Sequence, residues 1–187
     1  GSGVRGDMII RFNIGFIRVT LTVAPVQRVI GVNSNLDPAK REHILMWDFD
    51  DLPLHYVVGA LAEVQRYFYL PKIYVLESSP GHFIAYCFKR LPWRWAVKIV
   101  AKTRGVDLEF LKWSLYRGHF TLRVSRKNGF KPRLVAVLKS PYKEDADVKD
   151  LMSWVIYETL YEPFKSRSIW DRLKRWFYSR HLEVIVR

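Results

Sequence analysis

One apolar run, Ile44-Leu45-Met46-Trp47, leads straight into Asp48-Phe49-Asp50, and about thirty residues later Ser78-Ser79-Pro80-Gly81-His82 separates two further apolar runs. This pairing constrains the fold more than any other feature. In an extended strand, residues i and i+2 point to the same face. Asp48 and Asp50 therefore project two carboxylates side by side. Such carboxylates repel each other unless a cation lies between them, and oxygen-rich sites suit hard divalent ions such as Mg²⁺ or Mn²⁺. A Ser/Gly turn followed by a histidine supplies small backbone geometry and donors for an anion. Acid pair, metal and anion-binding turn together point to nucleoside triphosphate chemistry. The simpler reading makes Asp48 and Asp50 a strand end passing into a helix start, with Asp50 or Asp51 as cap. On that reading His82 is a polar residue opening a strand.

The flanking pattern reads as alternating strands and helices. Met8 to Val23 is rich in β-branched residues and predicts one or two strands, and Asn33 to Lys40 reads as a loop. His43 to Phe49 predicts a strand. Leu52 to Tyr69 predicts a helix, with Pro53 tolerated in its first turn and Val57, Val58, Leu61, Val64 and Phe68 at helical spacing. Ile73 to Leu76 and Phe83 to Phe88 predict strands joined by the Ser-Ser-Pro-Gly turn. Pro92 opens a helix to about Lys102, with Gly105 as its stop. Asp107 caps a further short helix to about Leu115, or serves as a ligand. Phe120 to Val124 and Leu134 to Leu138 predict strands joined through Asn128-Gly129. Ala146 to Leu160 and Ile169 to Tyr178 predict helices, and Leu182 to Val186 a final strand. The expected class is α+β, a mostly antiparallel sheet with packed helices. Residues 8–162 are expected to form the core, and residues 163–187 a basic, aromatic C-terminal helix and final strand. Gly1 to Asp7 reads as an expression remnant ahead of Met8.

Charge narrows the partners. Of 187 residues, 31 are Lys or Arg and 18 are Asp or Glu, a net charge of +13, with 7 Trp, 10 Tyr and 11 Phe. This is the electrostatic footprint of a polyanion binder, against the alternative of an inert basic surface. Cys87 stands alone, so neither an internal disulfide nor a cysteine-built zinc site can form, which fits a reducing cytoplasm. No apolar run reaches the ~18–20 residues needed to span a bilayer, and no membrane partner is expected. Two basic, aromatic stretches remain. One holds Arg90, Trp93, Arg94 and Lys98, and the other, from Lys165 to Arg180, holds Arg172, Lys174 and Arg175. Basic residues can track a phosphate backbone while aromatics stack on bases, so both stretches are candidate template contacts. The alternative is that the aromatics are core and the charges a solvated face. The C-terminal helix alternatively docks a partner or a membrane surface.

Taken in order, these residues resemble the archaeo-eukaryotic primase superfamily, including the primase-polymerases. Trp47-Asp48-Phe49-Asp50 matches its first motif. Ser79-Pro80-Gly81-His82-Phe83 matches its second, shortened by one residue. Val106-Asp107, with the strand Phe120 to Lys127, is the best match to its third. The resemblance spans Ile44 to Leu138. It implies an RRM-like catalytic core in which Asp48, Asp50 and Asp107 hold Mg²⁺ or Mn²⁺ and carry catalysis. It also implies that Ser79 and His82 contact the incoming NTP or dNTP, while Arg123 and Lys127 neutralise its phosphates. The implied partners are a single-stranded or primed DNA template and a helicase or other replication protein. A compact enzyme of this kind suits a prokaryotic, plasmid or viral setting. A single cysteine cannot build the zinc knob many relatives carry. The alternative function is a catalytically inactive nucleic-acid-binding module on the same fold. A rolling-circle nuclease would need two histidines separated by one residue, and the five here (43, 55, 82, 119 and 181) include no such pair.

Overall fold

The computed structural model describes residues 8–23 and 26–160. In chain order these form β1 (Met8–Ile14), β2 (Ile17–Val23), β3 (Val26–Asn33), β4 (Glu42–Asp50), α1 (Leu54–Tyr67), β5 (Ile73–Ser79), β6 (His82–Pro92), α2 (Trp93–Lys102), α3 (Leu108–Arg117), β7 (Thr121–Arg123), β8 (Arg133–Leu138) and β9 (Trp154–Leu160). The class is α+β, with three helices and antiparallel sheets. The expected helix over 169–178 and strand over 182–186 lie outside the described residues.

The central layer is a four-stranded sheet in the order β4-β6-β5-β8. Because β6 is antiparallel to both β4 and β5, those two run parallel with β6 inserted between them. The unit β4-α1-β5 is thus a split βαβ crossover. Strand alternation divides the sheet into two faces. Leu45, Trp47, Phe49, Val75, Ala85 and Cys87 share one face and are buried. This face carries the helical layer: Val57, Leu61 and Val64 of α1 and Ala96, Ile99 and Val100 of α2 complete the core. Trp47, fully buried, donates its indole N–H to Thr103 Oγ1 at 2.8 Å. Met46, Asp48 and Asp50 lie on the opposite face, in register with Tyr86, Ile84 and His82.

The second sheet is β7-β3-β9, and β1-β2 forms a separate hairpin turning at Gly15, whose φ is 58°. The two larger sheets meet where the chain leaves β3. Ile44 N–H donates to the Ser34 carbonyl and Ser34 N–H to the Phe120 carbonyl. Ser34 Oγ lies 2.8 Å from His43 Nδ1, so this buried junction is hydrogen-bonded. Together with Asp107 N–H donating to the Asp48 carbonyl, these contacts occupy the outer edge of β4.

Two expectations are corrected. Residues 146–160 do not form a helix. A single 3₁₀ turn, Val148–Asp150, closes on an Asp147/Asp150 capping box, and the chain then becomes β9. Val148, Leu151, Met152 and Val155 happen to fall at helical spacing. The β-branched and aromatic run from Trp154 instead pairs along seven residues of β3. The second correction concerns β7 and β8, which are not a hairpin: β7 pairs with β3, and β8 with β5. Asn128 (φ 49°) and Gly129 (φ 87°) do form a tight turn, but it closes only the Lys127–Phe130 bridge before the strands part to different sheets.

Candidate functional site

The site forms where the carboxyl end of β4 meets the β5–β6 turn. Pro80 and Gly81 occupy the two central turn positions, and Gly81 has φ 78°, the positive value a type II turn requires at its third residue. The turn pairs Ser79 with His82, and β4 pairs Asp50 with His82. Two motifs thirty residues apart in sequence thus become neighbours. His82 Nδ1 lies 2.5 Å from Asp50 Oδ1, and its Nε2 lies 3.8 Å from Asp51 Oδ1. The imidazole is therefore held between two carboxylates. Asp51 adopts φ 55°, in the left-handed region that Asp tolerates better than most residues.

Asp48, two residues back on the same face, is half-buried. Burial first, then the negative charges of Asp50 and Asp107, push its carboxyl up to about 7. His82 and a hydrogen bond from the Phe49 N–H oppose the rise without cancelling it. Asp107 reaches this neighbourhood through its backbone, donating its N–H to the Asp48 carbonyl at 2.8 Å. Its carboxylate is turned to cap α3, accepting from Glu109 N–H at 3.4 Å and Phe110 N–H at 2.9 Å. Asp107 is thus an N-cap whose charge is felt by Asp48. Among the described residues, no three His, Cys, Asp or Glu side chains are gathered as a group able to hold a metal ion.

Arg123 braces the turn from β7. Its guanidinium donates to the Ser78 carbonyl at 2.6 Å, the Ser125 carbonyl at 2.8 Å and the Phe130 carbonyl at 3.0 Å. Ser79 and Lys127 are half-buried, Ser79 in the turn and Lys127 at the Asn128-Gly129 turn. One residue here escaped sequence reading. Tyr86 sits on the same face of β6 as His82 and Ile84, between the Asp48 and Arg123 charges. Burial, then Asp48, raises its phenol well above the ordinary value, and Arg123 opposes the shift. The signal was its even spacing from His82 along the strand, which becomes informative only once the β4–β6 register is known.

The predicted template residues divide. Arg90 is engaged by Glu42 at 2.9 Å and approaches Asp150 at 4.0 Å. Trp93 is half-buried between the rings of His43 (4.7 Å) and Phe120 (4.8 Å), so its faces pack internally. Arg94 and Lys98 are exposed on α2. Arg172, Lys174 and Arg175 lie outside the described residues. No helix among the described residues is long and apolar enough to cross a membrane. Comparison with protein-family models, with curated proteins and with solved structures finds no match for this chain.

Proposed function

We propose that this chain is a metal-dependent nucleotidyltransferase of the primase or primase-polymerase kind, synthesising or extending a primer on a nucleic-acid template. The observation that carries the reading is the 2.5 Å contact between His82 and Asp50, which joins the acid pair to the Ser-Pro-Gly-His turn. Asp48 and Asp50 would hold Mg²⁺ or Mn²⁺, and an unrelieved carboxylate pushed up to about 7 is the donor chemistry such an ion fits. Mg²⁺ in nucleotide enzymes commonly takes one or two carboxylates and completes its shell with water and phosphate, so two donors suffice. When bound, the ion would neutralise phosphate charge and activate a 3′-hydroxyl. Ser79 and His82 would contact the triphosphate from the turn. Arg123 would act as a positioning residue, holding the turn through three carbonyls, and Lys127 would add positive charge beside it. Asp107 would contribute charge and the fixed start of α3. The RRM-like form of the core, and helicase or replication partners, belong to the same proposal.

A second reading is favoured by one specific observation. Asp107 is spent on a helix cap and Arg123 on backbone carbonyls, leaving fewer groups for chemistry. A non-catalytic nucleic-acid-binding module would look like this. Titration of NTP and dNTP with Mn²⁺, against wild type and Asp48→Asn/Asp50→Asn, separates the two. The enzyme reading expects Mn²⁺-dependent triphosphate binding that the double variant loses. The module reading expects no triphosphate binding by either protein, with nucleic-acid binding intact in both.

A further inference from the structure

The face of the sheet opposite Asp48 carries a helical layer whose solvent side repeats one arrangement. Lys98 Nζ sits 4.4 Å from the Trp95 ring centre, Lys102 Nζ 5.3 Å from Tyr67, and Arg104 Cζ 6.0 Å from Tyr56. Trp113 has Lys112 at 5.7 Å and Arg117 at 6.0 Å. The four rings come from all three helices and all are exposed. The cations that flank them are exposed as well. The pairs link the helices: Lys102 reaches from α2 to α1, and Arg104 reaches α1 from the α2–α3 connection. That connection is closely seated, since a Cβ on Gly105 would come within 2.8 Å of Tyr56.

We propose that this helical layer is a binding surface for single-stranded nucleic acid. Each unit offers a half-exposed π-face beside a cation, the combination on which bases stack while phosphates are neutralised. Charge complementarity favours a polyanion. The exposed acids of α1 to α3 are Glu63 and Glu109, which pair with Arg104 at 2.7 Å and Lys112 at 3.7 Å. Arg94, Lys98 and Lys102 keep α2 strongly positive. An acidic membrane is the weaker match, because the exposed stripe of α2 (Arg94, Trp95, Lys98, Ala101, Lys102) carries one large apolar side chain where a membrane-surface helix presents several. A duplex is also weaker, because its bases are not free to stack on the rings. The surface stands independently of the chemistry proposed for the carboxylates.

The test is fluorescence anisotropy with a labelled thymidine oligonucleotide in EDTA, so that no divalent ion engages the acidic site. Trp95→Ala/Lys98→Ala and Lys112→Ala/Trp113→Ala change exposed side chains only, and circular dichroism checks their folding. Each is expected to weaken binding roughly tenfold or more, from loss of stacking, and to reduce the salt dependence by about one ion per lysine removed. Asp48→Asn/Asp50→Asn is expected to bind as well as wild type or better. A blunt duplex of equal length is expected to bind more weakly than the single strand. Wild-type affinity in both surface variants, equal duplex affinity, or binding to phosphatidylserine vesicles but not to the oligonucleotide would overturn the proposal. Failure of nucleotide incorporation with this binding intact would count against the carboxylate chemistry alone.

Discussion

Asp48→Asn should stabilise the protein while abolishing its proposed chemistry. In the folded chain the Asp48 carboxyl sits at about 7 against 3.8 for an unperturbed group. Between these values the folded state holds a proton that the unfolded chain has released. Stability therefore falls as pH rises through that window. The shift of 7 − 3.8 = 3.2 sets a ceiling of ~4 kcal/mol at 1.36 kcal/mol per pH unit. Asp48 is partly solvated, so screening reduces this to about 2 kcal/mol. The neutral amide avoids the ionisation cost. For a chain of this size it should raise Tm by about 4–8 °C at pH 8. Most of the gain should vanish by pH 4.5, where the folded wild-type carboxyl is protonated and the unfolded chain has begun to protonate. Differential scanning calorimetry of both proteins across pH measures this directly. Millimolar Mn²⁺ should raise the wild-type Tm and leave that of Asp48→Asn nearly unchanged, because ligand stabilisation needs the site that binds it. An Asn variant no more stable than wild type at pH 8, or one gaining equally at pH 4.5, would refute this account of Asp48.

Other outcomes follow from the same geometry. Asp107→Ala should cost about 1 kcal/mol through the lost α3 cap, whereas Asp107→Asn should keep the cap and near-wild-type denaturant stability. Retained stability with reduced incorporation in Asp107→Asn would assign the Asp107 charge a part in chemistry; unchanged incorporation would leave it a cap. Arg123→Lys cannot span three carbonyls with one ammonium and should destabilise by about 2 kcal/mol in urea titration. His82→Ala should preserve the fold and lower incorporation roughly a hundredfold, mainly through triphosphate KM, since it removes the residue that joins the acid pair to the turn. Thr103→Val strands the buried Trp47 N–H and should cost about 1–3 kcal/mol, measured by thermal unfolding.

The elements around the site were legible because local chemistry and tertiary demand agree there. Trp47-Asp48-Phe49-Asp50 alternates as a strand should, Pro92 and Asp107 cap helices that form, and Pro80-Gly81 makes the expected turn. Where the reading failed, pairing partners far along the chain decided the outcome. Residues 154–160 are a strand because β3 is there to receive them, and β3 itself carries no distinctive punctuation. Asn128-Gly129 fixed a turn but could not say that its flanking strands join different sheets. Trp93 shows the same limit for function. Beside Arg94 it reads as a base platform, yet only the fold reveals His43 and Phe120 against its ring. Tyr86 was hidden for the converse reason, as an ordinary strand aromatic until register set it beside Asp48.

The most direct test of the central claim is nucleotide incorporation on a single-stranded DNA template, with and without a primer, in Mg²⁺ and in Mn²⁺ separately. Asp48→Ala/Asp50→Ala protein, verified as folded, runs alongside. The account predicts metal-dependent product from wild type and none from the double variant, with unprimed product marking a primase. Folded wild-type protein that binds the template yet makes no product in either metal, or equal product from the double variant, would contradict it.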